Sequence, residues 1–493
     1  MKTIYRLFIA AAALSAVLSC SKLDSFLDKA PESDQSYVST VSDCDLLMNN
    51  GDLIHGAINV VFQDDGIEFG SMTDLYYETS EEYRTYTYWT DPKYIYEPSA
   101  DDNGWSMLYK NIYTCNVVLN YIDNVSGDDE TLRSQLKGEA LLGRAFYHFS
   151  LVNMYARQYS AATAAEDAGV PYVTDIDASA VRSRASVREV YDKIVADLEE
   201  ALKYLKDATP ESGKNYRGNL AAANSLLARV YLHEGNWSAA QKYAEASLAL
   251  DSFLYDYNDY DQYSEDEEDP SVRYYENGEA YGSFTDREIT YLREPFDGFG
   301  GISYYMSVDY SAFFGGLKLT DDAVALFRSG DRRFDLFFGM DIFTGNTTIQ
   351  HLKHYDTGFY GQGNVGTSVP ETYLILAEAQ ARQGDTSGAC TTLDKFRSKR
   401  YDKASYSKYE SSDKAAVLKE ILDDKTVEFI YQGTRWFEMR RLYALGEYSK
   451  TIVRKDSEGN EIGRLVPSAD RMVLPIGEKV TAINPNITQN PYE

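Results

Sequence analysis

Cysteine is scarce in this chain: four among 493 residues, at positions 20, 44, 115 and 390, with no C-x-x-C spacing. That excludes a disulfide framework and a zinc ribbon, and leaves Cys44, Cys115 and Cys390 as expected small buried apolar residues. Basic residues are the second shortage. Lys and Arg number 48 against 77 Asp and Glu, a net charge of −29, and such a field repels nucleic-acid phosphates and anionic lipid heads. Long apolar runs are missing except for Leu7 to Leu18, too short for the ~20 residues of a membrane-spanning helix. Tryptophan occurs only four times, whereas tyrosine occurs 42 times, so the aromatic content lies mostly in rings that carry a hydroxyl. That suits a wet contact surface better than a dry core. Hydrophobic residues at 44% and charged residues at 25% are ordinary globular proportions, and the length allows two or three domains or one large repeat array.

The short apolar run follows Lys2 and Arg6 and ends at Val17-Leu18-Ser19-Cys20, the pattern of a secretory signal closing on a bacterial lipobox. Residues 1–19 are expected as a lipoprotein signal peptide and Cys20 as the lipidated first residue, with a polar tether over 20–43. Acyl chains would then hold at the membrane a chain whose charge is repelled by it.

Beyond the tether, spacings of three and four dominate. Trp105, Leu108, Ile112, Cys115, Val118, Leu119 and Ile122 mark an amphipathic helix over 105–125. Similar patterns predict helices over 132–155, 187–205, 220–233, 239–250, 373–382, 389–397, 415–431 and 435–445. The expected class is mainly α. Two stretches are alike: Ala228, Gly235 and Ala240 in one, Ala377, Gly384 and Ala389 in the other, each Ala pair 12 residues apart. Small residues where paired helices cross, with Gly ending the first helix, form the tetratricopeptide (TPR) helix-turn-helix pattern. Two units are too few for a solenoid, so degenerate partners are expected near 105–155 and 187–205. Between about 251 and 365 the period fades, with one helix expected over 321–327.

No motif calls for catalysis. Residues 361–366 spell G-x-G-x-x-G, but no apolar strand leads in and Pro370 stands where a dinucleotide-binding helix would be running, so a flexible loop is expected. His351 and His354 lack the Glu of H-E-x-x-H, and neither G-x-S-x-G nor a P-loop occurs. The acidic run Glu265 to Asp269 lacks the Gly of an EF-hand, leaving a solvated loop or a loose calcium site. No cofactor and no enzyme activity are expected.

The order of motifs along the chain resembles the SusD/RagB family. Phe26-Leu27-Asp28 and Pro31 follow Cys20; Trp105 to Asn116 fits the family's first helix; Arg144-Ala145-Phe146-Tyr147 with Gly169-Val170-Pro171 resembles its R-A-x-x-[YF] helix and exit. Asp331 and Arg333 fit a recurring acidic/basic turn. Glu428-Phe429, Gly433, Arg435-Trp436, Glu438 and Arg440-Arg441 resemble E-[LF]-x-x-E-G-x-R-W-x-D-x-R, and Leu474-Pro475-Ile476 with Asn484 to Pro491 resembles the closing motif. Asp424-Lys425 replaces the usual Glu-Arg and Gln432 the usual Glu, changes expected to soften ion pairs. The resemblance implies one SusD-like domain over 44–493, four TPR-type units carrying loops (TPR-rich about 105–250 and 370–445, loop-rich about 251–365), surface exposure at the outer membrane, a SusC-like TonB-dependent transporter as partner and an oligosaccharide as ligand. The alternative is a TPR-type interaction scaffold, a lid on the transporter with little sugar affinity.

A sugar ring presents an apolar C–H face rimmed by hydroxyls, so its site needs flat aromatic rings with polar groups at their edges. Trp105, Trp237 and Trp436 fall in helical motifs and are expected in the core; Trp89 does not. Eleven tyrosines crowd the 56 residues from Tyr255 to Tyr310 and nine the 38 from Tyr76 to Tyr113. Most must pack the loops. The expected platform is Trp89, Tyr88, Tyr274, Tyr275 and Tyr304, with Asp91, Arg273 and Asn277 as hydrogen-bonding edges.

Overall fold

Helical periodicity in the sequence becomes helical hairpins in the computed structural model. It describes residues 38–58, 63–69, 99, 101–260, 262–263, 274–275, 284–296, 317–340, 347–349, 364–430, 432–456 and 458–491. The first helix among the described residues, α1 (Val41–Met48), was not foreseen and begins inside the expected tether. Thr40 accepts the Asp43 N–H while the Asp43 carboxylate takes the Thr40 N–H, a reciprocal cap that starts the helix two residues before Asp43.

Helices α2 (Asn103–Tyr121), α3 (Glu130–Tyr155) and α4 (Val187–Tyr204) then pack in sequence order. Helix α4 buries Val187, Val190, Tyr191, Ile194, Leu198 and Ala201, a single stripe at helical spacing. Helix α3 is buried on every side from Leu136 onward except at Lys137, as a helix between two neighbours must be. The two foreseen hairpins follow: α5 (Leu220–Glu234) with α6 (Trp237–Leu250), and α9 (Val369–Gln383) with α10 (Thr386–Arg397). Gly235 and Gly384 end their first helices at φ 77° and 92°, and the next N–H in each turn reaches back to Tyr231 or Gln380. Ala228, Ala240, Ala377 and Ala389 are all fully buried at the crossings. Helices α6 and α9 pack on each other and join the hairpins, and α11 (Lys414–Glu428) and α12 (Arg435–Ala444) complete the scaffold. The helix expected over 321–327 is a single turn, α7 (Asp321–Val324), and α8 (Arg332–Phe337) and α13 (Glu478–Ile483) are further short helices.

Twelve short strands are found among the described residues. All lie outside the helical repeats: β1 (His55–Ile58), β2 (Ile67–Phe69), β3 (Gln262–Tyr263), β4 (Tyr274–Tyr275), β5 (Ile289–Tyr291), β6 (Glu294–Phe296), β7 (Leu317–Leu319), β8 (Phe338–Met340), β9 (Thr347–Ile349), β10 (Thr367–Ser368) and the hairpin β11 (Ile452–Lys455) with β12 (Glu461–Leu465). The residues Asn364 to Gly366, expected as flexible loop, are buried and pinned. A Cβ on Gly366 would overlap the Tyr291 carbonyl oxygen, so glycine serves close backbone packing here.

Cys44, Cys115 and Cys390 are free and buried, as expected, and burial lifts the Cys115 thiol to about 12. Trp105 and Trp436 are core residues, whereas Trp237 is only half-buried, with the Arg382 guanidinium 4.7 Å from its ring centre.

The motif residues Arg144 and Tyr147 are internal fasteners. Arg144 grips both Asp197 oxygens at 2.7 Å and reaches Asn116 at 3.0 Å. Beside it, His148 Nδ1 faces the Arg144 carbonyl at 2.9 Å and Nε2 accepts the Val173 N–H at 3.0 Å, so the neutral ring satisfies both nitrogens. A second knot surrounds Glu378, which meets Lys425 at 2.6 Å, Arg382 at 2.7 Å and Arg441 at 2.8 Å. Burial opposes the charge on Glu378 and on Glu438 beside it, but Arg441 and Lys425 outweigh it, holding Glu378 well below the usual carboxylate range and Glu438 at about 2.

Two outcomes follow. Glu378→Gln strands buried Lys425 and Arg441, and is expected to cost about 3–5 kcal/mol in denaturant unfolding, against under ~1 kcal/mol for Lys419→Ala at an exposed pair. Burial lowers His148 to about 3, so below pH ~6.5 the unfolded chain binds a proton that the native ring refuses. Its contribution is complete above pH ~6.5 and falls by about 2 kcal/mol on going to pH 5. That window lies above the carboxylate losses, and unfolding of His148→Gln across it should show a shallower slope.

Candidate functional site

The strands gather the ends of the aromatic-rich segments. In the four-stranded antiparallel sheet β2-β7-β9-β8, Phe69 lies opposite Leu317, Lys318 opposite Thr348 and Phe338 opposite Ile349. The last residue of β2, the first of β7 and the last of β9 therefore share one end of the sheet. From that end the chain runs on into 70–98 and 350–363, and to it the chain returns from 297–316. Residues 70–98 contain Tyr88, Trp89 and Asp91, and residues 297–316 contain Tyr304. A separate ladder pairs Gln262 with Tyr275 and Tyr263 with Tyr274, so the two expected platform tyrosines form β4 at the root of a hairpin.

Of the expected ligand residues, Trp89, Tyr88, Asp91, Arg273, Asn277 and Tyr304 lie outside the described residues, as do Cys20, His351, His354 and the run 265–269. Four tyrosines of the second cluster, Tyr255, Tyr257, Tyr260 and Tyr291, are buried and pack the scaffold. Among the described residues no group of three or more His, Cys, Asp or Glu side chains is placed to hold a metal ion, and no helix is long and apolar enough to cross a membrane.

Arginines fasten four of the segment roots to the rest of the fold. At β2, Arg454 donates to the carbonyls of Ile67 (2.6 Å) and Asp64 (2.9 Å), while Arg435 meets Asp65 at 2.7 Å. Ahead of β3, Arg400 donates to the Tyr255 carbonyl at 3.0 Å, covers the Tyr257 ring at 4.2 Å, and pairs with Glu288 and Glu428 at 2.9 Å. Arg333 at the start of α8, which runs straight into β8, meets Asp424 at 2.6 Å, Asp331 at 2.7 Å and Glu428 at 3.2 Å. Arg397 shares Asp424 at 2.6 Å. Burial alone would lower Arg333 and Arg400, but the carboxylates around them hold both well above the ordinary range. Where the chain re-enters at 364, Arg229 pairs with Glu371, donates to the Val365 carbonyl at 2.9 Å and also reaches that of Gly366.

The replacements Asp424 and Lys425, expected to soften ion pairs, sit fully inside these networks. Sequence reasoning marked Arg333, Glu428 and Arg435 as motif residues but not their pairings, which are remote in sequence: Arg333 meets Glu428 across 95 residues and Arg435 meets Asp65 across 370, while Arg400, which reaches Glu288 across 112, was not marked at all. Near the 297 root, burial raises the Glu294 carboxyl to about 7. Two clefts adjoin the anchored roots: one of about 500 Å³ lined by Phe327, Arg332, Phe334 and Asp402, and one of about 570 Å³ between α7, α11 and Tyr448.

Comparison with known proteins agrees with this architecture. A family described as "Starch-binding associating with outer membrane" matches residues 25–232, and one described as "SusD family" matches residues 369–492. Two curated relatives from Formosa agariphila, SusD-like protein P25 and SusD-like protein P2, are 26% and 30% identical over 141 and 151 residues, which are 27% and 30% of this chain. These matches span about a quarter of the relatives' own length, 24% and 28%. Among solved structures, a putative sugar binding protein from Bacteroides vulgatus superposes with a TM-score of 0.70 at 20% identity, covering 93% of this chain and 99% of that one. A SusD superfamily protein from Bacteroides thetaiotaomicron gives 0.69 at 22% identity, covering 92% and 100%. With both ends of the chain matched in order and the same fold running through its length, the protein belongs to the SusD/RagB family.

Proposed function

We propose that this protein is a non-enzymatic glycan-binding lipoprotein of the outer-membrane surface, anchored through Cys20, that captures oligosaccharide and passes it to a SusC-like TonB-dependent transporter. The observation that carries the reading is the convergence of two tyrosine-rich segments, one holding Trp89 and the other Tyr304, on one end of an arginine-anchored sheet. A rigid base beneath segments rich in flat aromatic rings favours binding over catalysis or regulated opening. The family's description as starch-binding and outer-membrane-associated, and the sugar-binding title of a structural neighbour, support the ligand class. The lipobox and the acidic charge fit a chain tethered by acyl groups.

The soluble form starting at Ser21 is expected to be retarded in affinity electrophoresis by one or a few polysaccharides of a plant, microbial and host panel. Substituting Trp89 and Tyr275 together with Ala should weaken that retention by about tenfold. Retention by no polysaccharide, together with co-purification of the transporter, would favour the lid reading; release of reducing ends would contradict the non-enzymatic one.

A further inference from the structure

Arg332 and Arg333 are neighbours at the start of α8, and the ~100° turn between successive helical residues sends them to different sides. Arg333 goes inward to its carboxylates. Arg332 stays half-buried at the rim of the 500 Å³ cleft, and among the described residues its guanidinium makes one hydrogen bond, to the Tyr260 carbonyl at 2.6 Å. Arg328 on the same wall is neutralised by Glu420 at 2.8 Å and Asp423 at 3.3 Å, so Arg332 is the donor with capacity to spare. Asp402, which lines the same cleft, commits Oδ1 to the turn at Ala404 and Ser405, and its Oδ2 makes no hydrogen bond among the described residues. The half-buried rings of Phe327 and Phe334, which line the cleft with them, stand 5.2 Å apart at 65°, a tilted apolar wall.

An apolar wall sharing one cleft with a donor and an acceptor that each have capacity to spare is the complement of a pyranose, whose C–H face is bordered by vicinal hydroxyls that both donate and accept. Asp402 opposes an anionic sugar at the same place, so the fit is to a neutral one. The volume lies within the ~300–1,000 Å³ of small-molecule sites. Position adds to chemistry: Tyr260 stands two residues ahead of β3, whose ladder partner is Tyr274–Tyr275, so the cleft adjoins the root of the expected platform.

We propose that the cleft bounded by Phe327, Phe334, Arg332 and Asp402 is a subsite for one neutral sugar ring of a bound oligosaccharide. This assignment rests on the glycan-binding reading above. It is tested by calorimetric titration of the Ser21 form with maltoheptaose, cellohexaose, laminarihexaose, mannohexaose and hexagalacturonate. Phe334→Ala and Arg332→Gln are each expected to weaken binding of the preferred neutral oligosaccharide by about fivefold or more, with Tm within about 2 °C of the parent. Phe327→Tyr, which keeps the ring, should bind as the parent does. If Arg332→Gln disturbs the fold by losing the Tyr260 contact, Phe334→Ala alone decides. Unchanged affinity in the variants while the parent binds would overturn the subsite and leave the glycan reading standing. A preference for hexagalacturonate that Arg332→Gln abolishes would overturn the neutral class. Binding of none of the five by the parent would overturn the subsite and count against the reading beneath it.

Discussion

A guanidinium removed from water is tolerated only where carboxylates or carbonyls replace its hydration, and this fold places such replacements at four of the roots where segments meet the scaffold. Arg333 and Arg400 are fully buried, yet both stay charged because Asp331, Asp424, Glu428 and Glu288 surround them. The arrangement is costly to break, since loss of one partner leaves an uncompensated charge in a low-dielectric interior. It is also directional: planar donors fix the angle at which each root leaves the scaffold. Strands of two to five residues have little stability of their own, so their positions depend on these fasteners.

That division explains how one scaffold can carry varied recognition surfaces. The helical hairpins are held by alanine crossings and glycine turns whose requirements are steric, and the roots by arginine networks whose requirements are electrostatic. Neither constrains what the segments between the roots contain. In this chain they contain tyrosine in abundance together with Trp89, the one tryptophan outside the helical patterns of the sequence. The tyrosines at the roots went the other way: Tyr255, Tyr257, Tyr260 and Tyr291 were drawn into the core, where Arg400 and Arg293 cover the rings of Tyr257 and Tyr291.

The long helices were legible because burial on one side imposes a period, and nine of them were placed to within a few residues. Helix α1 was missed because its eight residues mix acids with apolar positions, and its start is set by the Thr40–Asp43 cap rather than by a stripe. The strands were not legible: three residues carry no period, and β2 finds its partner β7 some 250 positions away. Motif residues announced themselves, but as letters without partners. Glu428 could be singled out, while its meeting with Arg400 and Arg333 is a fact of the fold. Trp237 shows the same limit in reverse, since its repeat context suggested core and the structure leaves it half-buried beneath Arg382. The cleft at Phe327 and Phe334 escaped the sequence because Phe327 was read as the end of a helix that in fact stops at Val324, and Phe334 lies in a short helix that was not foreseen.

The central claim, that buried arginine networks hold the segment roots in place, is tested most directly by hydrogen–deuterium exchange of Arg400→Met against the parent. The account predicts faster exchange in the peptides around 253–260 and 284–292, with α3 to α5 protected as before and glycan retention reduced. Unchanged protection of those roots, or a loss of protection spread evenly over the whole chain, would contradict it.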